Sequence, residues 1–472
     1  MRDRKTRSLA SAVLALALIA QSRPAAAEGA WERGDAGISG FPESAGLRSR
    51  YWESFFAAPI PALLARAPAI VAEGSSRFRL YAIKQGEHVY AIAAALGPED
   101  GNGEGPLYAQ GTWIVKRSAR DGKMIQAKVF LRSDPGVFAR IYPDGDRSEL
   151  DIVLYGGVVN REVPIAQGFE RVCAASMAQI VQWTSSLASW ELLEPRTGQY
   201  RDMRRFVAAV RARLSSLAYG EDGALDSSGS PVYIATGEAQ RKPYGLNCSG
   251  FAKWVVDGLY RPLTGAYLDP RDMAERHTED RNGSLSAAVE TELDPFFGLD
   301  WTRNLARALD GARRPGAKIG LEANDVRTAP FALLEAGRDL SVQEANASRV
   351  PGGSLPDGGE YGYFPSYMEG VGYPTSGLRP LLYALAMSEP GTAYLASISR
   401  KGGARLPGLR RHYHVAVLVP YFEEDGGFEI AVFESAAETS LDAVVARTKG
   451  DFVHLVRIPV GGEFDPPSFS VD

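Results

Sequence analysis

Between residues 76 and 166 the chain alternates apolar and polar positions with a period of two. Ile125, Ala127, Val129 and Leu131 alternate with Gln126, Lys128 and Arg132, the mark of a strand buried on one face. Segments 77–83, 88–95, 112–117, 125–132, 137–142 and 149–155 read as short strands, with Asp121-Gly122 and Asp144-Gly145 as turn signals. Short strands joined by short turns predict a small all-β barrel or sandwich over 76–166. Elsewhere the apolar spacing lengthens to three and four. Within 168–219 two helices are expected. Cys173 lies in the first, and Met203, Phe206, Val207, Val210, Leu214 and Leu217 line one face of the second. Phe251, Trp254, Val255 and Leu259 make another helical face, and the turn residues Gly245 and Asn247 start that helix near Cys248. Further helices are expected near 301–312 and over 377–388, where Leu378, Leu381, Leu382 and Leu385 recur. Strands at 393–398, 414–419, 428–433 and 452–458 would form an antiparallel sheet behind the Cys248 helix.

Composition narrows the setting. Arg2, Arg4, Lys5 and Arg7 precede the apolar run Leu9 to Ala20, and Pro24-Ala25-Ala26-Ala27 fits small-residue cleavage, so residues 1–27 read as a secretory signal. That run is too short for a membrane span, and an exported chain without a membrane span after cleavage is expected. The signal carries five basic residues and one acidic, so its removal takes the formal charge from −5 to −9. Such a balance argues against nucleic acid as a partner, because phosphate binding needs concentrated positive charge. Two cysteines are too few for a disulfide scaffold. In an oxidising compartment Cys173 and Cys248 are able to pair, which would abolish a nucleophile.

Cys248 carries the candidate chemistry. A cysteine at a helix start sits among unpaired backbone N–H groups and the positive end of the helix dipole, both of which favour the thiolate. The competing reading is a buried structural cysteine. Ser249 and Gly250 beside it are small and would leave room for a substrate. His414, in a strand far downstream, is the candidate base, and His412 two residues earlier is its rival or an aid in binding substrate carboxylates. After a turn at Asp425-Gly426-Gly427, the strand 428–433 ends at Glu434, which would return toward His414 and orient its ring. A bulge would present Ser435 instead. His88 and His454 read as fillers of strand positions, and His277 with Glu279 and Asp280 as a charged loop rather than a metal site.

Asn247-Cys248-Ser249-Gly250-Phe251 resembles the Asp-Cys-Ser-Gly-aliphatic signature of the NlpC-type (NlpC/p60) cell-wall cysteine peptidases, which are papain-like. Pro231-Val232-Tyr233-Ile234-Ala235-Thr236-Gly237 is similar to the segment that precedes the family's cysteine. Arg411 to Val419 is similar to its histidine strand, and Ser388 to Leu395 to the entry of the strand before it. The likeness covers about 200–260 and 380–460. Asn247 stands where the family has Asp, which keeps a helix cap but removes a charge that the substrate amine would meet.

The resemblance implies an α+β fold: a papain-like domain at 167–472 with a large insertion at about 261–376, preceded by a partly helical segment at 28–75 and the small β domain at 76–166, which would bind substrate or wall. It implies Cys248, His414 and Glu434 as the catalytic set, the Cys248 backbone N–H as oxyanion donor with help from Tyr233, and Asn247, Ser249 and His412 around the substrate. It further implies an exported, periplasmic or extracellular hydrolase of peptidoglycan stem peptides, cut at a γ-D-glutamyl–diamino acid bond. Other readings stay open: a thiol amidase or transpeptidase on another envelope substrate, or a wall-binding protein on a degenerate peptidase fold. No metal or organic cofactor is implied. In the insertion, Tyr361, Tyr363, Phe364, Tyr367 and Tyr373 among glycines either wall a groove or pack as an ordered loop.

Overall fold

The computed structural model describes residues 40–99, 105–278, 293–328, 332–333, 367–368, 370–401 and 410–469. The leader expected at 1–27, Glu279, Asp280, Tyr361, Tyr363 and Phe364 lie outside these residues. The described chain is a mixture of helix and antiparallel sheet that divides into two compact units. One comprises residues 40–195, 332–333 and 425–427, the other residues 196–328, 367–424 and 428–469. Residues 167–195, expected with the cysteine, group with the strands instead.

Among the described residues, the strands of the first unit form one continuous nine-stranded antiparallel sheet. Its strands are β1 (Ala69–Glu73), β2 (Ser76–Gln85), β3 (His88–Leu96), β4 (Leu107–Ser118), β5 (Met124–Phe130), β6 (Val137–Asp144), β7 (Arg147–Leu154), β8 (Gly157–Ile165) and β11 (Ala332–Leu333), each of β1 to β8 paired with its sequence neighbour. A row of buried residues crosses six of them: Leu80, Ala93, Trp113, Val129, Ala139 and Ile152 are successive cross-strand partners. This is the apolar half of the period-two pattern, turned to one face. Two strands escaped that pattern. β1 is largely exposed, and β8 loses its alternation to register shifts in its pairing with β7 and to Glu162, whose φ is 50°. Helix α1 (Ala45–Arg50) lays the Arg48 guanidinium 3.7 Å over the Trp113 ring, and the same group donates to the Cys173 and Ala175 carbonyls at the end of α2 (Phe169–Ala174). α3 (Met177–Thr184) follows, closed at its start by a capping box of Ser176 and Gln179.

The second unit is built on a six-stranded antiparallel sheet in the order β12-β17-β13-β14-β15-β16. These strands are Tyr373–Pro374, Phe452–Pro459, Thr392–Lys401, Arg410–Phe422, Phe428–Glu434 and Ala437–Thr439. Its helices of seven or more residues are α4 (Arg201–Leu214), α5 (Cys248–Thr264), α6 (Phe297–Arg313), α7 (Leu378–Ser388) and α8 (Leu441–Arg447). Strands β9 (Gly223–Leu225) and β10 (Pro231–Tyr233) form a separate pair beside the start of α5. The i, i+3, i+4 pattern at 251–259 lies within α5, and Phe251, Trp254, Val255 and Leu259 are all buried. α6 comes from the expected insertion, yet it is part of the core. Trp301, Leu305 and Leu309 are fully buried, and the Trp301 indole donates to the Ser249 carbonyl at 2.9 Å.

Candidate functional site

Cys248 is the first residue of α5. Asn247 caps that helix: its Oδ1 accepts the Gly250 N–H at 2.8 Å, and its own N–H donates to the Gly223 carbonyl at 3.0 Å. These bonds fix the cysteine between β9 and the sheet. The carboxamide of Asn247 is therefore taken by the helix end rather than turned to a substrate. The glycine at 250 has a related cause. A Cβ there would lie 1.9 Å from the Gly223 oxygen, so only glycine lets β9 pass this close. Ser249 and Gly250 are both buried, so their small size serves packing rather than the substrate access that was expected of them. Ser249 still touches the chemistry, with its Oγ 4.0 Å from the Cys248 Sγ.

His414 lies on β14, close enough to the half-buried Cys248 that its imidazole is the main influence lowering the thiol. Its Nε2 is 2.6 Å from Glu434 Oε2, which leaves Nδ1 as the ring nitrogen available to the thiol. Glu434 ends β15 and is buried. The chain then reverses through Ser435 and Ala436, with φ of 48° and 65°, to pair Glu434 with Ala437 of β16. This turn puts Glu434, not Ser435, on the imidazole. The same oxygen is also held by Arg447, at the end of α8, whose guanidinium donates to it.

The electrostatics follow from these contacts. Burial pushes the Cys248 thiol up, but the hydrogen bond and charge of His414, the Val415 backbone and Ser249 outweigh it and leave the thiol below its ordinary value. Burial likewise disfavours charge on His414, and Cys248 and Glu434 overcome it, raising the imidazole to about 9. Burial opposes ionisation of Glu434 too, and His414 and Arg447 nevertheless hold its carboxyl below the usual range. The imidazolium thus favours both the thiolate and the carboxylate, and each of these favours the imidazolium. Cys173 is the opposite case: free, buried and pushed up to about 12 by burial. Both cysteines are free.

His412 is not beside the thiol in the role expected of it. A register shift between Ile398 and Ser399 pairs Ile398 with His414 and Ser399 with His412, which leaves Tyr413 bulged and breaks the regular alternation. His412 is 5% exposed, with its Nδ1 2.9 Å from Ser397 Oγ and its ring against Phe296 and His454. Burial holds it well below the usual imidazole range, so it is a neutral core histidine, not a substrate contact. Tyr233 pairs with Gly223 across β9 and β10, one strand from the helix start, and its hydroxyl accepts the Arg241 N–H at 3.3 Å. His277 donates its N–H to Asp300 at 2.9 Å, and its ring lies between Glu275 and Arg307.

The buried histidines make acid stability testable. Burial lowers His454 to about 3, and its Nε2 has no hydrogen-bond partner among the described residues. An unfolded histidine takes up its proton near 6.5. Unfolding therefore binds a proton between those values, and stability present above about pH 6.5 falls as the pH drops toward 3. His454 alone accounts for about 2 kcal/mol at pH 5, with His412 acting in the same direction. Urea titrations at pH 7 and pH 5 should show this loss, and His454→Leu should reduce it. Equal pH sensitivity in the two proteins would assign the acid loss to other groups.

Sequence reasoning missed three contributors: Arg447, the α6 helix under Ser249, and the β9 carbonyl that dictates Gly250. Only α6 left a signal, its apolar spacing within the expected insertion. Among known proteins, a family model described as a domain of unknown function (DUF8515) matches residues 38–192, which lie in the first unit and stop short of every residue of this site. Neither a curated protein nor a solved structure matches the chain.

Proposed function

We propose that the second unit is a cysteine hydrolase of the papain-like, NlpC type, acting on peptidoglycan stem peptides outside the cytoplasm. One observation carries this: the His414 imidazole lies 2.6 Å from the buried Glu434 carboxylate and is, at the same time, the main influence lowering the Cys248 thiol at the start of α5. The setting agrees with it, since the cysteine opens a helix and the histidine lies on a strand of an antiparallel sheet beside it. The sequence resemblance supplies the substrate class.

In the proposed reaction the Cys248 thiolate attacks the amide carbonyl carbon. The oxyanion is received by the Cys248 N–H, one of the first-turn donors that an α-helix leaves without an intrahelical acceptor. His414 donates its Nδ1 proton to the leaving nitrogen as the C–N bond breaks, leaving a thioester on Cys248. Water then attacks the thioester with His414 as base, the C–S bond breaks, and the thiolate returns. Glu434 keeps the ring oriented and favours its charged form.

The capping role of Asn247 favours a second reading of the substrate. No carboxylate occupies that position to meet a free amine, so an acyl donor other than the stem peptide's N-terminal part suits the site equally, in an amidase or transpeptidase. A digest of purified peptidoglycan by the mature protein, read by mass spectrometry beside Cys248→Ala and His414→Ala, tests both. New fragments made by the wild type and by neither variant support the stem-peptide reading and locate the bond. A reactive Cys248 without fragments points to another envelope substrate, and an inert Cys248 without fragments leaves a binding protein.

A further inference from the structure

We infer that Arg447 is a fourth, positioning member of this site, setting the acidity of the Cys248–His414 pair through Glu434. The inference rests on the reading of that pair as a working nucleophile and base. One carboxylate oxygen, Glu434 Oε2, receives both His414 Nε2 and the Arg447 guanidinium. Glu434 is buried, whereas Arg447 is 43% exposed, so the cation reaches in from the surface to a carboxylate that solvent barely touches.

The surrounding chain is shaped to bring the two together. β15 ends at Glu434, and two consecutive residues other than glycine, Ser435 and Ala436, adopt the left-handed region to make the reversal. Such strain persists only where the neighbouring structure enforces it. β16 then leads to α8, whose first turn is capped by Ser440 and whose last residue is Arg447. A cation at a helix C-terminus is also favoured by the helix dipole.

The charges facing the group are few. Glu434 meets His414 and Arg447, and His414 meets Cys248 and Glu434. On the neighbouring strands Tyr413 is tied to Asp451 and Arg400, and Glu438 is paired with Arg211. Arg447 is therefore the one cation that shares the carboxylate of Glu434 with His414 among the described residues. Its charge offsets part of the carboxylate's pull on the imidazolium, which makes His414 a stronger acid toward a leaving amine. It also adds to the positive potential that holds the thiolate. Without it, the full negative charge of Glu434 acts on both groups, and both give up their protons at higher pH.

Iodoacetamide alkylation of Cys248, followed against pH in the full mature chain, reads this directly without a substrate. Arg447→Gln should move the thiolate limb upward by about half to one pH unit and slow alkylation at pH 6 by about three- to tenfold, as expected for loss of one neighbouring charge. The His414 imidazole, followed by NMR, should lose its proton at higher pH than in the wild type. Arg447→Lys, which keeps the charge, should stay within about twofold of the wild type. Arg447→Met serves the same purpose as Gln if the Gln variant does not fold. Neutral variants whose profiles superimpose on the wild type would overturn the inference, as would a Lys variant displaced as far as Gln, since packing rather than charge would then be responsible. A wild-type Cys248 that titrates as an ordinary thiol would reject the proposed hydrolase, and the tuning with it; a depressed thiol indifferent to Arg447 would reject the tuning alone.

Discussion

Replacing His414 with Ala is expected to slow alkylation of Cys248 near neutral pH on the order of 100-fold, because thiolate fraction controls thiol reactivity. The sign follows from the balance of effects on the sulfur. Burial alone pushes the thiol above its ordinary value, and the His414 hydrogen bond and charge are the main effects that reverse it. Without the imidazole, burial wins, and the thiolate becomes a trace species at pH 7. The wild type should therefore show a reactive limb below the ordinary thiol range and a second inflection near pH 9, where His414 loses its proton. The variant should show a single limb above that range. Cys173, buried and pushed up to about 12, should contribute little, and a Cys248→Ser protein measures what it does contribute. If His414→Ala alkylates within about twofold of the wild type at pH 7, the helix start rather than the imidazole ionises the thiol, since a helix terminus by itself also lowers a thiol pKa.

Trp301→Ala should destabilise the second unit by about 3–5 kcal/mol, the usual cost of truncating a buried aromatic side chain to alanine. Trp301 is fully buried, packs 5.3 Å from the Phe297 ring, and donates its indole N–H to the Ser249 carbonyl. It is thus the direct link between α6 and the turn of α5 that carries Cys248. Trp301→Phe keeps most of the apolar contact and loses one hydrogen bond to a carbonyl that the helix also uses, so about 1 kcal/mol is expected. Urea unfolding read by the loss of fast Cys248 alkylation reports on this unit specifically. A loss below about 1 kcal/mol for Trp301→Ala, far under the range for a buried aromatic, would show that α6 is an appendage and not part of the site's foundation.

The local elements were legible because each follows from spacing over a few residues. The face Phe251, Trp254, Val255, Leu259 located α5, the Gly245 and Asn247 signals located its start, and alternation located β5 through Ile125 to Leu131. What the sequence concealed was set by contacts between distant segments. Nothing near Gly250 reveals that a carbonyl of residue 223 presses on it. Alternation put His412 on the face of His414, and only the bulge at Tyr413 with the overlying Phe296 explains its burial. Trp301 looked like part of an insertion because chain length, not packing, defined the gap between Cys248 and His414. Arg447 had no local mark at all: an arginine ending a short helix is ordinary until the reversal at Ser435 and Ala436 lays it on Glu434.

The thiol and its imidazole belong to segments 166 positions apart in the sequence. Closing so long a loop carries an entropic cost that only a largely assembled core can offset, and contacts of this separation form slowly. β14 acquires its place only when β13 and β15 flank it, and α5 only when Asn247 meets Gly223. A chain that is still unfolded carries at Cys248 an ordinary, sluggish thiol. Fast alkylation in a refolding time course would therefore appear late, after helical and local strand signals have developed, and would serve as a clock for completion of the fold. It would also mean that an incompletely folded chain is chemically quiet until it has reached its final shape.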